Sequence, residues 1–371
     1  MNEGPGPRAQ GPEGSGALRV MIAGGGTGGH VVPALAIGRA LRDEYGAEVR
    51  FVGTARGIET KLVPEAGFRL ELVRSGQLKN VSLMTRLRTA MDLPLGVVHC
   101  LRLLREFKPQ VVVGVGGYAS GPAMLAAVML RIPCVAYEPN AVPGMTNRWL
   151  GKWVSAAAVN FAGTAQYFRG AEVTGVPVRQ EIFEIAPKVG GTPRLLVTAG
   201  SNGALVFNEV MPKIAARLQE AVPGLTIVHQ AGARRLELTR EEYAASGADL
   251  VRVECEAFLT DMPEQYAAAD VVLARAGSTV AELAAAGKAS VLVPLATAAD
   301  DHQRKNAEVL VEAGAAVMLL QKDVTEETLL AALVGLLGDA ARRAAMGEKA
   351  RGLARPGALE KIAAMVVRSR E

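Results

Sequence analysis

The sequence predicts an α/β protein made of two doubly wound parallel sheets. Short β-branched runs alternate with helical stretches of ten or more residues along most of the chain. The runs are continuously apolar and do not alternate, as strands covered by helices on both faces require. With 371 residues, 50% of them hydrophobic, the chain can build two cores.

Residues 1–16, MNEGPGPRAQGPEGSG, lack an apolar run, so a disordered tail is expected and not a signal peptide. A first domain is expected over 17–177, with strands at LRVMIA, EVRFVG, VVVGVG and PCVAYE. The stretch TGVPVRQEIF breaks the pattern at Gly175 and Pro177. A second domain is expected over 178–371, with strands at RLLVTAG, LTIVHQAG, LVRVECEAF, DVVLARAG and ASVLVPL. The Ala-, Arg- and Lys-rich end, from about Leu337, reads as helix that is free to pack on either domain. Residues 111–130 are uncharged and long enough to span a bilayer, but GGYASGP lies in their middle. Strand, turn and new helix are therefore expected, with no transmembrane segment.

Composition narrows the function. Cys100, Cys134 and Cys255 are far apart and form no CxxC pair, which fits small core residues in a reducing cytoplasm. Residues 18–170 carry 18 Lys/Arg against 9 Asp/Glu, whereas residues 171–371 carry 22 against 26. A basic first half favours a phosphorylated ligand or an anionic lipid surface. Aromatic residues are only 4% of the chain and are not interleaved with basic ones, which argues against nucleic acid. Between residues 74 and 108, Arg74, Lys79, Arg86, Arg88, Arg102, Arg105 and Lys108 face only Asp92 and Glu106. Leu78, Val81, Met84, Leu87 and Met91 recur there at helical spacing, interrupted by Arg88. Such a stripe suits a membrane surface or a helix packed on its own sheet.

Three glycine-rich turns carry the chemistry. In GGGTGGH, Gly24, Gly26 and Gly29 satisfy G-x-G-x-x-G. The second strand, however, ends in Gly53 and Thr54, without the acid that a dinucleotide ribose needs. No Lys-Ser/Thr pair follows, so a P-loop is excluded as well. What remains is a strand–glycine–helix turn that aims backbone N–H groups at an anion. GVGGYASGP and TAGSNGALVFNE repeat it, so two phosphate-bearing ligands are expected where the strands end. His30, at a helix start, is expected to be neutral and able to accept a proton; a loop hydrogen bond is its plainer role. RAGSTVAE puts Glu282 in a first helical turn behind Ser278 and Thr279, placed either to hold ribose hydroxyls or to cap the helix. In DDHQRKNAEVL, Asp301, His302, Gln303 and Asn306 suit sugar hydroxyls. No carboxylate pair has metal-ligand spacing, so neither metal nor cofactor is expected.

Taken together, GGGTGGHVVPALAIGRAL, VVGVGGYASGPAMLAA, YEPNAVPGMTNRWL, TGVPVR, AGSNGA, HQAG, FLTDMPEQYAAADVVLARAGSTVAELAAAGK and DDHQRKNAEVL resemble the MurG family of bacterial N-acetylglucosaminyltransferases, in the family's order over residues 18–320. The resemblance implies a GT-B fold, two Rossmann-like domains with parallel sheets facing across a cleft. It implies inverting transfer of N-acetylglucosamine from UDP to the C4 hydroxyl of undecaprenyl-pyrophosphoryl-MurNAc-pentapeptide, from lipid I to lipid II. His30 would be the base. The donor would be held by Arg179, Ser201, Leu259, Met262, Ser278, Thr279, Glu282, His302 and Gln303, with Thr27, Gly28 and Asn140 reaching it at the reaction centre. Arg275 would share the leaving-group charge with Arg179. Gly26, Gly29, Tyr118 and Ser120 would meet the acceptor. The protein would sit peripherally on the cytoplasmic face of the bacterial membrane, against anionic lipid and other wall-synthesis proteins. The chain departs from the family at Tyr137 and Pro139, where histidine and glutamine are usual, at Val176 for an amide, and at Asn202 for glutamine. The rival readings are another UDP-sugar glycolipid transferase, a UDP-N-acetylglucosamine 2-epimerase, and a weakly catalytic scaffold that binds UDP-sugar or lipid precursor.

Overall fold

Each strand is followed by a helix that must return over a sheet face, so neighbouring strands run parallel. A computed structural model describes residues 17–75, 83–117 and 119–370, with residues 83–91 described by their backbone alone. The first sheet holds β1 (Arg19–Ala23), β2 (Glu48–Gly53), β3 (Arg69–Leu72), β4 (Val111–Gly114), β5 (Cys134–Glu138), β6 (Ala156–Val159) and β7 (Ala171–Val173). Their order is β3-β2-β1-β4-β5-β6-β7. The second holds β8 (Arg194–Thr198), β9 (Thr226–Gln230), β10 (Val253–Glu256), β11 (Val271–Ala274), β12 (Ala289–Leu292) and β13 (Val317–Met318), in the order β10-β9-β8-β11-β12-β13.

In both sheets the winding direction reverses beside the first strand, and that is where a crevice opens. Register brings the turns out level. Ala23 of β1 pairs with Gly114 of β4, and Thr198 of β8 with Ala274 of β11. The glycine turns after these four strands therefore leave each sheet side by side.

The expected division into buried strands holds. Val20, Ile22, Val113 and Val135 pack under the helix Gly28–Tyr45, while Met21, Val112, Cys134 and Ala136 face the helices Leu83–Phe107 and Ser120–Met129. In the second sheet Leu195, Val197 and Ile227 face the helix Leu205–Ala221, and Leu196, Val228 and Val272 face Ile182, Leu283 and Leu310. Each valine, leucine, isoleucine or methionine among them, fully buried, stabilises by about 1.5–3 kcal/mol. All three cysteines are buried free thiols, and burial pushes Cys100 and Cys134 up to about 12.

The apolar run 111–130 is β4, a glycine turn and the helix Ser120–Met129; among the described residues no helix is long and apolar enough to cross a membrane. The last strand of the first sheet ends at Val173, and Ile182, in the short helix Gln180–Phe183, already belongs to the second core. The helical end is three helices: Glu326–Leu337, Ala340–Leu353 and Ala358–Arg368. The first two cover the second sheet. The third crosses back, burying Ile362, Ala363, Met365 and Val366 in the first core and pairing Arg368 with Glu172 at 3.0 Å.

Candidate active site

The turn after β1 is organised by a residue the sequence did not advertise. Glu59 opens the short helix Glu59–Glu65 and is fully buried. Its carboxylate accepts the Gly26 N–H at 2.8 Å, the Thr54 N–H at 2.9 Å and the Thr54 hydroxyl at 3.0 Å. A Cβ at Gly25, Gly53 or Gly57 would collide with this same side chain. Burial opposes ionisation of Glu59, but the hydrogen bonds outweigh it and hold the carboxyl below its ordinary range. The expectation that the first turn turns all its bare amides toward a ligand is thus corrected. The Gly26 N–H is already spent on an internal anion.

Gly28, Gly29 and Thr27 remain at the cleft, with Thr27 as the helix N-cap. The Thr27 hydroxyl lies 3.4 Å from His30 Nδ1. The expected lowering of the His30 pKa is found, but its leading cause is burial, followed by His302. A hydrogen bond to the Gly25 backbone and the charge of Glu59 oppose it. Because His302 stands on the second domain, its influence reaches His30 across the cleft. Tyr118 lies outside the described residues. Ser120 is fully buried, its hydroxyl unpartnered among the described residues, so it offers the acceptor no exposed atom.

After β5, Glu138 accepts four hydrogen bonds: the Asn140 N–H at 3.1 Å, Asn140 Nδ2 at 3.0 Å, the Gly144 N–H at 3.0 Å and Asn147 Nδ2 at 3.0 Å. Burial raises its pKa against them. This cradle fixes Asn140 at the cleft rim. Two departures from the family pattern fall elsewhere: Tyr137 is buried in the first core, and Val176 is buried as well.

On the second domain the turn after β8 interlocks with the turn after β9. Gly203 and Gly232 approach so closely that a Cβ on either would strike the other turn's backbone, and Gln230 Nε2 donates to the Gly200 carbonyl at 2.7 Å. Ser201 and Asn202 stand exposed at its tip. Glu282 accepts a hydrogen bond from the buried Tyr266 hydroxyl at 2.8 Å. Burial raises its pKa, while Tyr266 and the nearby Arg179 oppose the rise. Ser278 is the N-cap but makes no side-chain cap bond, so the plain capping alternative fails and one Glu282 oxygen is left for a ligand. Thr279 follows it at the helix start.

Leu259 is buried in the second core, and Met262 is half-buried against that core. Arg179, Thr260, Asp261 and Pro263 line a groove of about 370 Å³ there. His302 Nδ1 lies 2.6 Å from the Ala299 carbonyl, and Gln303 Oε1 accepts the Leu295 N–H at 3.0 Å. Arg275 Nη1 donates to the carbonyls of Val293 at 3.0 Å and Pro294 at 3.2 Å, and burial lowers its pKa to about 10. It braces the turn while remaining charged. Asp300 and Asp301 both adopt left-handed backbone, at φ 53° and 57°, in the turn that presents His302. Among the described residues no three His, Cys, Asp or Glu side chains gather as a metal site would.

Two doubly wound domains whose turns face one another across a cleft, one edge carrying a free carboxylate oxygen and the other a half-buried imidazole of lowered pKa, define a GT-B glycosyltransferase. Residues 20–159 match the glycosyltransferase family 28 N-terminal domain and residues 194–362 its C-terminal domain. The UDP-N-acetylglucosamine–N-acetylmuramyl-(pentapeptide) pyrophosphoryl-undecaprenol N-acetylglucosamine transferase of Solibacter usitatus is 42% identical over 351 residues, covering 94% of this chain and 95% of its own. The crystal structure of Acinetobacter baumannii MurG superposes with a TM-score of 0.81 at 32% identity, covering 95% of this chain and 99% of that one. A putative UDP-N-acetylglucosamine 2-epimerase from Listeria monocytogenes reaches a TM-score of 0.66 at 15% identity over 95% and 96% of the two chains, a likeness of fold alone. The chain belongs to the MurG family.

Proposed function

We propose that this chain transfers N-acetylglucosamine from UDP-N-acetylglucosamine, with inversion, to the C4 hydroxyl of undecaprenyl-pyrophosphoryl-MurNAc-pentapeptide, making lipid II from lipid I for peptidoglycan. The observation that supports this best is that His30 of the first domain lies within electrostatic reach of His302 of the second, while Glu282 of the second domain spends one oxygen on Tyr266. The reading is tested by turnover of a defined lipid-linked muramyl-pentapeptide acceptor. UDP released together with a new disaccharide is expected; UDP-sugar binding without disaccharide would leave only the scaffold.

In this mechanism the second domain holds the donor. The free Glu282 oxygen accepts from the ribose hydroxyls, while the groove beside Leu259 and Met262 takes the uracil. Ser201 and the helix start behind it, with Arg179 and the charge of Arg275, meet the diphosphate and the negative charge that develops on it as the glycosidic bond breaks. His302 and Gln303 read the sugar hydroxyls. From the first domain, Thr27, Gly28 and Asn140 close on the sugar, and Gly26 and Gly29 border the acceptor. His30, neutral at pH 7, takes the proton from the attacking hydroxyl.

Replacing Glu282 with alanine is expected to weaken UDP binding about tenfold, the order of one charge-assisted hydrogen bond. Isothermal titration with UDP and with its 2′,3′-dideoxy analogue checks the assignment. An equal loss for both nucleotides would remove Glu282 from the ribose.

A lipid-linked acceptor calls for a membrane surface. The stripe of Leu78, Val81, Met84, Leu87 and Met91, with Lys79, Arg86 and Arg88, lies outside the described residues or their described side chains. Elsewhere on the first domain Trp149 and Trp153 are 79% and 69% exposed, with Leu95, Val98 and Met129 also bare. Arg131, Arg148 and Lys152 lie close to them in sequence. Indole beside cations suits the interface of an anionic bilayer. The double substitution Trp149→Ala, Trp153→Ala is expected to weaken binding to phosphatidylglycerol vesicles by at least about tenfold, each indole being worth over ~1 kcal/mol when buried. UDP affinity should stay unchanged; vesicle flotation equal to the parent's would count against this surface.

A further inference from the structure

The sequence groups Asn306 with the residues suited to sugar hydroxyls, but the structure corrects this: its amide is buried and bonded to protein groups rather than offered to a ligand. Asn306 lies one turn into the helix His302–Glu312, on the same face as His302 and Gln303, and is 1% exposed. Asparagine is an indifferent helix former, so a buried one inside a helix needs partners. Asn306 finds three, on two domains. Its Oδ1 accepts the Ala141 N–H at 2.8 Å. Its Nδ2 donates to Asn140 Oδ1 at 3.1 Å and to the Ala276 carbonyl at 3.1 Å. Ala276 follows β11 of the second sheet; Asn140 and Ala141 follow β5 of the first.

The polarity of this chain of bonds is fixed at both ends. The Ala141 N–H can only donate, which orients the Asn306 amide. At the far end the Glu138 carboxylate accepts from Asn140 Nδ2, which turns Asn140 Oδ1 toward Asn306. One amide thus holds the other with a single possible orientation, and Asn140 keeps one Nδ2 hydrogen and one Oδ1 lone pair for a ligand.

We propose that Asn306 is a positioning residue that clasps the donor helix to the acceptor domain and sets the Asn140 amide at the reaction centre. This rests on the reading of Asn140 given above. The clasp couples the two halves of the reaction: the helix whose first turn meets the sugar is tied, one turn later, to the domain that brings the nucleophile.

Asn306→Ala and the isosteric Asn306→Asp are the test. The carboxylate keeps the acceptor for Ala141 but places lone pairs against Asn140 Oδ1 and the Ala276 carbonyl. In both variants kcat is expected to fall at least about tenfold, on the scale of an ångström of misplacement. The Kd for UDP alone should stay within about twofold, since the clasp touches none of the nucleotide's contacts. The double variant with Asn140→Ala should be no slower than the slower single, because both act through one amide. Fluorescent labels on the two domains should report a broader interdomain distance in Asn306→Ala. A kcat near the parent's, a parallel loss of UDP affinity, or additive losses in the double variant would overturn the proposal. Full activity of Asn140→Ala would instead be a failure of the reading of Asn140. The label distances then decide the clasp by themselves, an unchanged distribution ending it.

Discussion

Replacing His30 with alanine is expected to lower kcat by about 10²- to 10⁴-fold, the usual worth of a positioned general base. The donor KM should change far less, because His30 touches Thr27 at the sugar and none of the residues given to the uracil, ribose or diphosphate. The sequence already places a histidine at a helix start; the structure adds burial and a second histidine facing it across the cleft, which both disfavour the imidazolium. With its pKa below the ordinary imidazole value of 6.5, His30 is deprotonated at neutral pH and stays so somewhat below that value. Activity should therefore fall on the acid side only at pH values below those of an exposed histidine. In His302→Ala one of the causes lowering the His30 pKa disappears, so the acid limb should move to higher pH. A pH–rate profile of kcat in parent and variant checks both statements. A His30→Ala enzyme at full speed would take this imidazole out of the proton transfer.

Glu59→Ala should be the most destabilising single change in the first domain that leaves its apolar core intact. It strands two backbone N–H groups and a hydroxyl inside the protein, each costing about 1–3 kcal/mol, so a loss on the order of 3 kcal/mol is expected after partial access of water. It also empties the space that Gly25, Gly53 and Gly57 leave for the carboxylate. Since the Gly26 N–H is one of the stranded donors, the turn that carries His30 should loosen and activity should fall as well. The stabilisation depends on pH with a definite sign. The folded carboxyl titrates below the ordinary range, so its contribution is complete above the unfolded pKa. It fades as pH drops through that range toward the folded value. Urea unfolding followed by first-domain signals, at neutral pH and near the ordinary carboxylate value of 4.5, is the measurement. A parent and a Glu59→Gln variant with the same acid dependence would show that the charge is not what holds the turn.

Much of this fold could be read from the chain. The nine apolar runs are strands because a run covered on both faces leaves a continuous hydrophobic signal. The four strands not foreseen are short or weakly patterned. RLEL of β3 is half-exposed at a sheet edge, AAAV of β6 has no β-branched residue before its last position, and β7 and β13 hold three and two residues. The site was legible where its chemistry is local. Glu282, Ser278 and Thr279 share one helix start, and His302 and Gln303 share another. Glu59 is not legible because a nucleotide-binding acid belongs at the end of β2, whereas this residue lies six positions past Gly53 and reaches back from a new helix. Asn306 was legible only as a polar residue suited to sugar hydroxyls; its bonds to the other domain could not be seen, since its partner Asn140 is 166 positions away. Ser120 shows the opposite error: a polar residue in a glycine-rich motif that points into the protein.

The helix Ala358–Arg368 has a consequence for how the chain is made. Four of its side chains complete the interior of the sheet built from residues 19–173, yet the ribosome delivers them only after the whole second sheet. During synthesis the amino-terminal half must wait, its apolar flank bare, until this late segment arrives. Domain-by-domain maturation is thus denied to one of the two halves, and chaperone engagement should be longest there.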